Sequence, residues 1–280
     1  MRDPLRQIVC FLLLVIGISF PFWSLIIHAG HLDIAHGRVV HMLMWSPALA
    51  ALLTCRLFGV QIEALGWAWK PMKYQLLAYC LPVIYGLLAY LPLWLLGVAP
   101  IQYSAFAQEN ANSLHLATGA SVVDLLLLAT FGVIQSLASA LGEEIGWRGF
   151  LLPALNVSFR FHTVILLSGL VWAAWHYPIL LFADYNAGTP APFALSCFTV
   201  MIVATGAIAA WLRLQSGSLW PPAVFHASHN LFIQSVFDRL TATTTTAKYF
   251  SGEFGLALAL VTAIIAMFFL RRASKAAPLR

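Results

Sequence analysis

Residues 142–149 read Gly142-Glu143-Glu144-Ile145-Gly146-Trp147-Arg148-Gly149, and they lie inside an apolar run that extends from Val122 to Pro153. In a soluble chain, such a cluster of charge would mark the surface end of a core helix. In a membrane chain it marks a site, because a charge near the bilayer centre costs on the order of 3 kcal/mol and is kept for a function by default. The rest of the sequence selects the second reading. Of 280 residues, 61% are hydrophobic and 9% charged, whereas soluble domains are about 45–50% apolar and about 25% charged. With a mean hydropathy of +0.86, the chain lacks the ionic surface that water requires. A cytosolic enzyme, a secreted disulfide scaffold and a disordered tail are excluded.

Outward from that run, further apolar stretches of similar length appear. They extend approximately over 8–27, 39–58, 75–98, 163–182, 193–212, 219–237 and 254–270, each near the roughly 20 residues that cross a 30 Å hydrocarbon core. The first is expected to remain a span, since no small-x-small cleavage site follows it and Phe22, Trp23 and Leu25 carry it on. The expectation is an all-α fold, a polytopic transmembrane helical bundle of about eight spans. It forms one integral membrane domain over 1–280, with a motif-bearing core at 122–237. Between spans lie a Trp/Lys turn at Gly66–Lys73, a polar stretch at Gln108–His115, a Gly/Pro loop at Gly188–Pro192 and the Thr-rich segment Thr241–Thr246.

The cations give an orientation. With the N-terminus inside, Arg2, Arg6, Arg56, Lys70, Lys73, Arg148, Arg160, Arg213, Arg271, Arg272, Lys275 and Arg280 fall on the cytoplasmic side, against Arg38, Arg239 and Lys248 outside. Short cytoplasmic loops carry such an excess, so both termini are expected inside. The 15 Lys and Arg residues are scattered singly, so the basic pI of 9.2 points to topology and not to nucleic acid. Cys10, Cys55, Cys80 and Cys197 lie within apolar runs with no Cys-x-x-Cys pair, as buried small hydrophobes do.

Three runs carry polar groups that a span does not need: Glu143, Glu144 and Arg148; His176; and His226, His229 and Asn230. At 100° per residue, Glu144 and Arg148 share a face and suit a structural ion pair, while Glu143 points about 100° away with no neutralising charge at i+3 or i+4. His226 and Asn230 also share a face, with His229 near its edge as a buttress. Counted from the inner helix ends at about 1.5 Å per residue, Glu143, His176, His226 and Asn230 fall within one slab about 10–20 Å deep, placing the cavity nearer the cytoplasmic face. Gly142, Gly146 and Gly149 offer a small face for a neighbouring helix. The histidines at 28, 31, 36, 41, 115 and 162 sit at loops or span ends and read as solvated or interfacial. Trp172 and Trp175 read as packing.

These blocks resemble the CPBP family of intramembrane proteases, also known as the CAAX-processing, bacteriocin-processing or Abi type. Glu143, Glu144 and Arg148 match its Glu-Glu-x-x-x-Arg motif, and His226 and Asn230 match His-x-x-x-Asn. Its Phe-x-x-x-His motif is met by Trp172 and His176, an aromatic replacement that keeps the histidine. The resemblance covers about Leu126–Phe237 and implies an eight-span bundle in a bacterial plasma membrane, with a cavity open to the cytoplasm. It also implies an endopeptidase in which Glu143 and His176 activate a water while His226 and Asn230 hold the oxyanion. The substrate class implied is a membrane-delivered protein or peptide, prenylated CAAX tails included, with membrane lipid as the surrounding partner. The family is commonly labelled metalloprotease; a zinc would take His176, His226 and His229 or a glutamate, but the absence of a His-Glu-x-x-His block favours no metal. The alternatives are a catalytically silent immunity or scaffold protein and a proton-coupled transporter, for which no inverted repeat is present.

Overall fold

The computed structural model describes residues 3–69, 71–114 and 122–275. Arg2, Lys70, His115 and Arg280 of the readings above lie outside the described residues, as does the side chain of Lys275. Helix α1 spans Pro4–Ala29, α2 Arg38–Phe58, α3 Met72–Leu95 and the short α4 Tyr103–Leu114. A continuous helical segment at 122–158, here α5, is followed by α6 (Phe161–Phe182), α7 (Ala191–Ser216), the segment 220–240 (α8) and α9 (Leu256–Lys275). The fold is an all-α polytopic bundle. Six of these helices, α1, α2, α3, α5, α6 and α7, are long and apolar enough to cross a membrane among the described residues. The two remaining expected segments, α8 and α9, are helical, and α8 carries His226, His229, Asn230 and Gln234. The polar stretch at Gln108–His115 begins inside α4 rather than in an open loop, consistent with its Ala, Gln, Glu and Leu content.

Helices in lipid need not be polar on their outer face, and α1 shows the consequence. Ile8, Phe11, Val15, Ser19, Trp23 and Ile26 turn inward, while Leu5, Val9, Leu13, Ile16 and Phe20 form an exposed apolar stripe on the opposite side. Of these six, the most enclosed is α7, where Ala204, Gly206, Ala207, Ala209 and Ala210 let neighbours approach. The predicted glycine face of α5 receives α2. A Cβ on Gly142 would meet the Met44 carbonyl oxygen at 2.7 Å, and one on Gly146 would run into Pro47, whose carbonyl oxygen lies at 2.7 Å. Backbone contact this close is what small residues permit between membrane helices.

Two of the polar-bearing helices change winding at their motifs. In α5 a π turn, Ile145–Leu151, starts directly after Glu144, and in α8 another, Asn230–Phe237, starts at Asn230 itself. Such turns are rare and concentrate at functional positions.

Candidate active site

The ion pair expected within α5 is present: Arg148 Nη1 donates to Glu144 Oε1 at 2.7 Å, both side chains being buried. The Arg148 guanidinium also lies 4.0 Å over the Trp172 ring. From α8, His226 Nδ1 approaches the same carboxylate oxygen at 3.0 Å. Glu144 therefore ties the first motif to the third, fixing the His226 ring with its Nε2 as the nitrogen left for other work.

Glu143 is buried at 2% exposure, and its Oε2 accepts two indole N–H groups, Trp172 Nε1 at 2.7 Å and Trp147 Nε1 at 3.3 Å. This corrects the packing role assigned to Trp172. It also supplies Glu143 with an uncharged donor at i+4, which a search for opposite charges passes over. His176, on the same helix as Trp172, holds Nδ1 2.8 Å from the Trp172 carbonyl oxygen. A carbonyl only accepts, so Nδ1 carries the proton and Nε2 is the basic nitrogen of the neutral ring.

Glu143, His176, His226 and Asn230 all line one cavity of about 180 Å³. Much of its remaining wall is apolar, including Leu43, Ile179, Ile202 and Phe225. His229 also lines it, but both its nitrogens are occupied: Nε2 lies 2.9 Å from Glu253 Oε1, and Nδ1 is paired with the Tyr85 hydroxyl. Glu253 further accepts from Tyr185 at 2.7 Å and Gln234 at 3.2 Å. Burial alone would raise its carboxyl, but His229 and then Tyr185 and Gln234 reverse this, holding it down to about 2. The nearby Gly252 amide donates to the Tyr90 hydroxyl, which in turn donates to Asp238. Sequence reading missed Tyr85, Tyr185, Gln234 and Glu253. The available signal was an acid placed directly against the apolar run that begins at Phe254.

For a metal, the candidate set was His176, His226 and His229. Among the described residues, no three His, Cys, Asp or Glu side chains gather as an ion requires. His229 would have to give up either Tyr85 or Glu253 to become a ligand, so this donor set does not fit.

The family described as type II CAAX prenyl endopeptidase Rce1-like matches residues 125–232. A CAAX prenyl protease 2 from Methanococcus maripaludis is 28% identical over 145 residues, which cover 50% of this chain and 47% of that protein. The chain thus spans about half the length of the curated relative it matches. The matched segment holds Glu143, Glu144, Arg148, His176, His226 and Asn230, the residues that the structure gathers around one cavity and its supporting ion pair. The motif-bearing segment is thus similar to the Rce1-like type II CAAX prenyl endopeptidases.

Proposed function

We propose that the protein is an intramembrane endopeptidase that hydrolyses membrane-delivered proteins or peptides with a water activated by Glu143 and His176. The observation that carries this reading is a buried carboxylate gripped on one oxygen by two indoles, sharing a small cavity with three further hydrogen-bonding side chains. With Oε2 so held, Oε1 is the oxygen presented to a water. Glu143 takes a proton from that water as its oxygen attacks the scissile carbonyl carbon, and His176 Nε2 positions the water through its lone pair. The developing oxyanion receives the Asn230 amide and His226 Nε2–H. In this state His226 carries a proton on each nitrogen and has Glu144 as its counter-ion. Donors of this kind contribute about 3–4 kcal/mol each to the transition state. Collapse breaks the C–N bond, and the proton held by Glu143 passes to the leaving amine.

No metal takes part in this mechanism; the occupied nitrogens of His229 and the tether of His226 to Glu144 support that reading. The family and the relative add prenylated CAAX tails as one substrate class. The test is a purified Glu143→Gln variant assayed in detergent against a farnesylated CAAX-box peptide and a membrane-anchored reporter peptide. Cleavage should fall at least about 100-fold, the usual range for losing a general base, while the variant elutes and melts like the parent. Wild-type rates from the variant would remove Glu143 as the base.

A further inference from the structure

Glu253 stands in the α8–α9 connection, beyond the matched residues 125–232, and none of the hydrolytic steps above involves it. It is nevertheless 6% exposed, and with Glu143 it supplies the acids of the cavity wall. A buried carboxylate is costly unless donors satisfy it, and three converge here. Oε1 accepts from His229 Nε2 and Gln234 Nε2, while Oε2 accepts from the Tyr185 hydroxyl. The backbone behind it is anchored as well, since the neighbouring Gly252 amide donates to the Tyr90 hydroxyl on α3.

The two donors on Oε1 bracket Asn230. His229 precedes it, and Gln234 lies inside the π turn Asn230–Phe237 that it begins. At 100° per residue, side chains five positions apart point about 140° away from each other on a regular helix. A π turn closes its hydrogen bonds at i→i+5, which brings residues at that spacing toward one side. One oxygen shared by His229 and Gln234 thus matches the widened winding and opposes its return to a regular helix. Asn230 stands where the winding changes, so the direction of its amide depends on whether the turn holds. Across the cavity, the Tyr185 ring packs 6.5 Å from the His176 ring, and both meet Phe198. The first motif is secured separately by a packed plug, residues 143–152 being buried and Arg213 Nε donating to the Arg148 carbonyl at 3.0 Å.

We propose that Glu253 is a positioning residue for Asn230: its carboxylate clamps the π turn through His229 and Gln234 and so aims the Asn230 amide into the cavity. What Asn230 does there rests on the endopeptidase reading; what Glu253 does rests on the clamp alone. The clamp also explains why His229 lines the cavity with both nitrogens occupied. Tyr85 holds Nδ1 and thereby points Nε2 at Glu253, making His229 an arm of the clamp.

The test assays detergent-purified Glu253→Ala and Glu253→Gln against the reporter peptide, with Glu253→Ala also combined with Asn230→Ala. Misplacing a reacting group by 1 Å can cost about 100-fold, so Glu253→Ala should lower kcat about 10–100-fold with KM within about twofold. Glu253→Gln keeps an acceptor for His229 and Gln234 while the Tyr185 hydroxyl turns to accept from its amide, and should recover to within about tenfold of the parent. With Asn230→Ala in place, Glu253→Ala should cost less than about threefold, because its effect travels through the missing amide. Equal losses in both backgrounds, a change in KM alone, or a Gln variant as impaired as the Ala variant overturns the proposal. Hydrogen exchange on peptides covering 229–237 decides the clamp without catalysis: it should accelerate at least about tenfold in Glu253→Ala, and an unchanged rate overturns the proposal. Wild-type cleavage by Glu143→Gln fails the endopeptidase reading, while exchange still decides the clamp. If Glu253→Ala does not fold, Gln234→Leu, which removes one clamped donor, takes its place in each measurement.

Discussion

Trp172 joins four groups of the site: its indole N–H holds Glu143, its carbonyl takes His176 Nδ1, its ring lies under Arg148, and it meets His226 edge-on at 5.3 Å between ring centroids. The family motif has phenylalanine here, which supplies the ring but no donor. Trp172→Phe should therefore keep the packing and lose one hydrogen bond to a charged group, about 1.5–3 kcal/mol. The expected result is a kcat lower by about 10–100-fold with KM nearly unchanged, measured on detergent-purified enzyme. Arg148→Ala acts differently, because it leaves Glu144 buried beside a carboxylate-facing histidine without its cation. Loss of one partner of a buried pair typically costs about 3–5 kcal/mol, so folded yield and Tm should both drop. Recovery of a wild-type melting curve would show that His226 alone suffices for Glu144. The ion pair was legible from i,i+4 spacing alone. The indole grip was not, because tryptophan in an apolar run looks like packing until a neighbouring helix shows where its N–H points.

At the scale of elements, the close seam between α2 and α5 sets how deep the first motif sits. Pro47 and the Met44 carbonyl occupy the space where side chains on Gly146 and Gly142 would project. Gly146→Val should force the helices apart and lower both Tm and activity, whereas Gly17→Ala, on a part of α1 with nothing within 4 Å, should leave both unchanged. Thermal unfolding followed by fluorescence distinguishes them. The glycine face and helix ends were readable from sequence because small residues and apolar length are local signals. The π turns at Ile145 and Asn230 were not, since the extra residue per turn is imposed by tertiary packing and has no distinctive residue pattern. The Glu253 cluster escaped for a related reason: one acid in a loop reads as solvated until that loop folds back over His229.

For the whole molecule, the metal-free mechanism predicts full activity after exhaustive treatment with a strong chelator, followed by metal analysis of the protein. Inactivation reversed stoichiometrically by zinc would reassign His176 and His226 as ligands. The all-α polytopic plan followed from composition, but the way the connections at Leu32, Tyr185 and Glu253 wall the cavity did not. Depth along a helix can be counted from sequence, whereas the side on which neighbouring helices part depends on how connections cap the bundle.

The plug formed by Arg213, the Arg148 carbonyl and the buried turn around it has an electrical consequence. Hydrolysis needs water well inside the bilayer, and a wet column running the full distance would short-circuit the transmembrane potential, worth about 2.3 kcal/mol per charge at 100 mV. On the proposed hydrolytic reading, a pit ending above this packed floor would admit the reactant while the membrane remains an insulator.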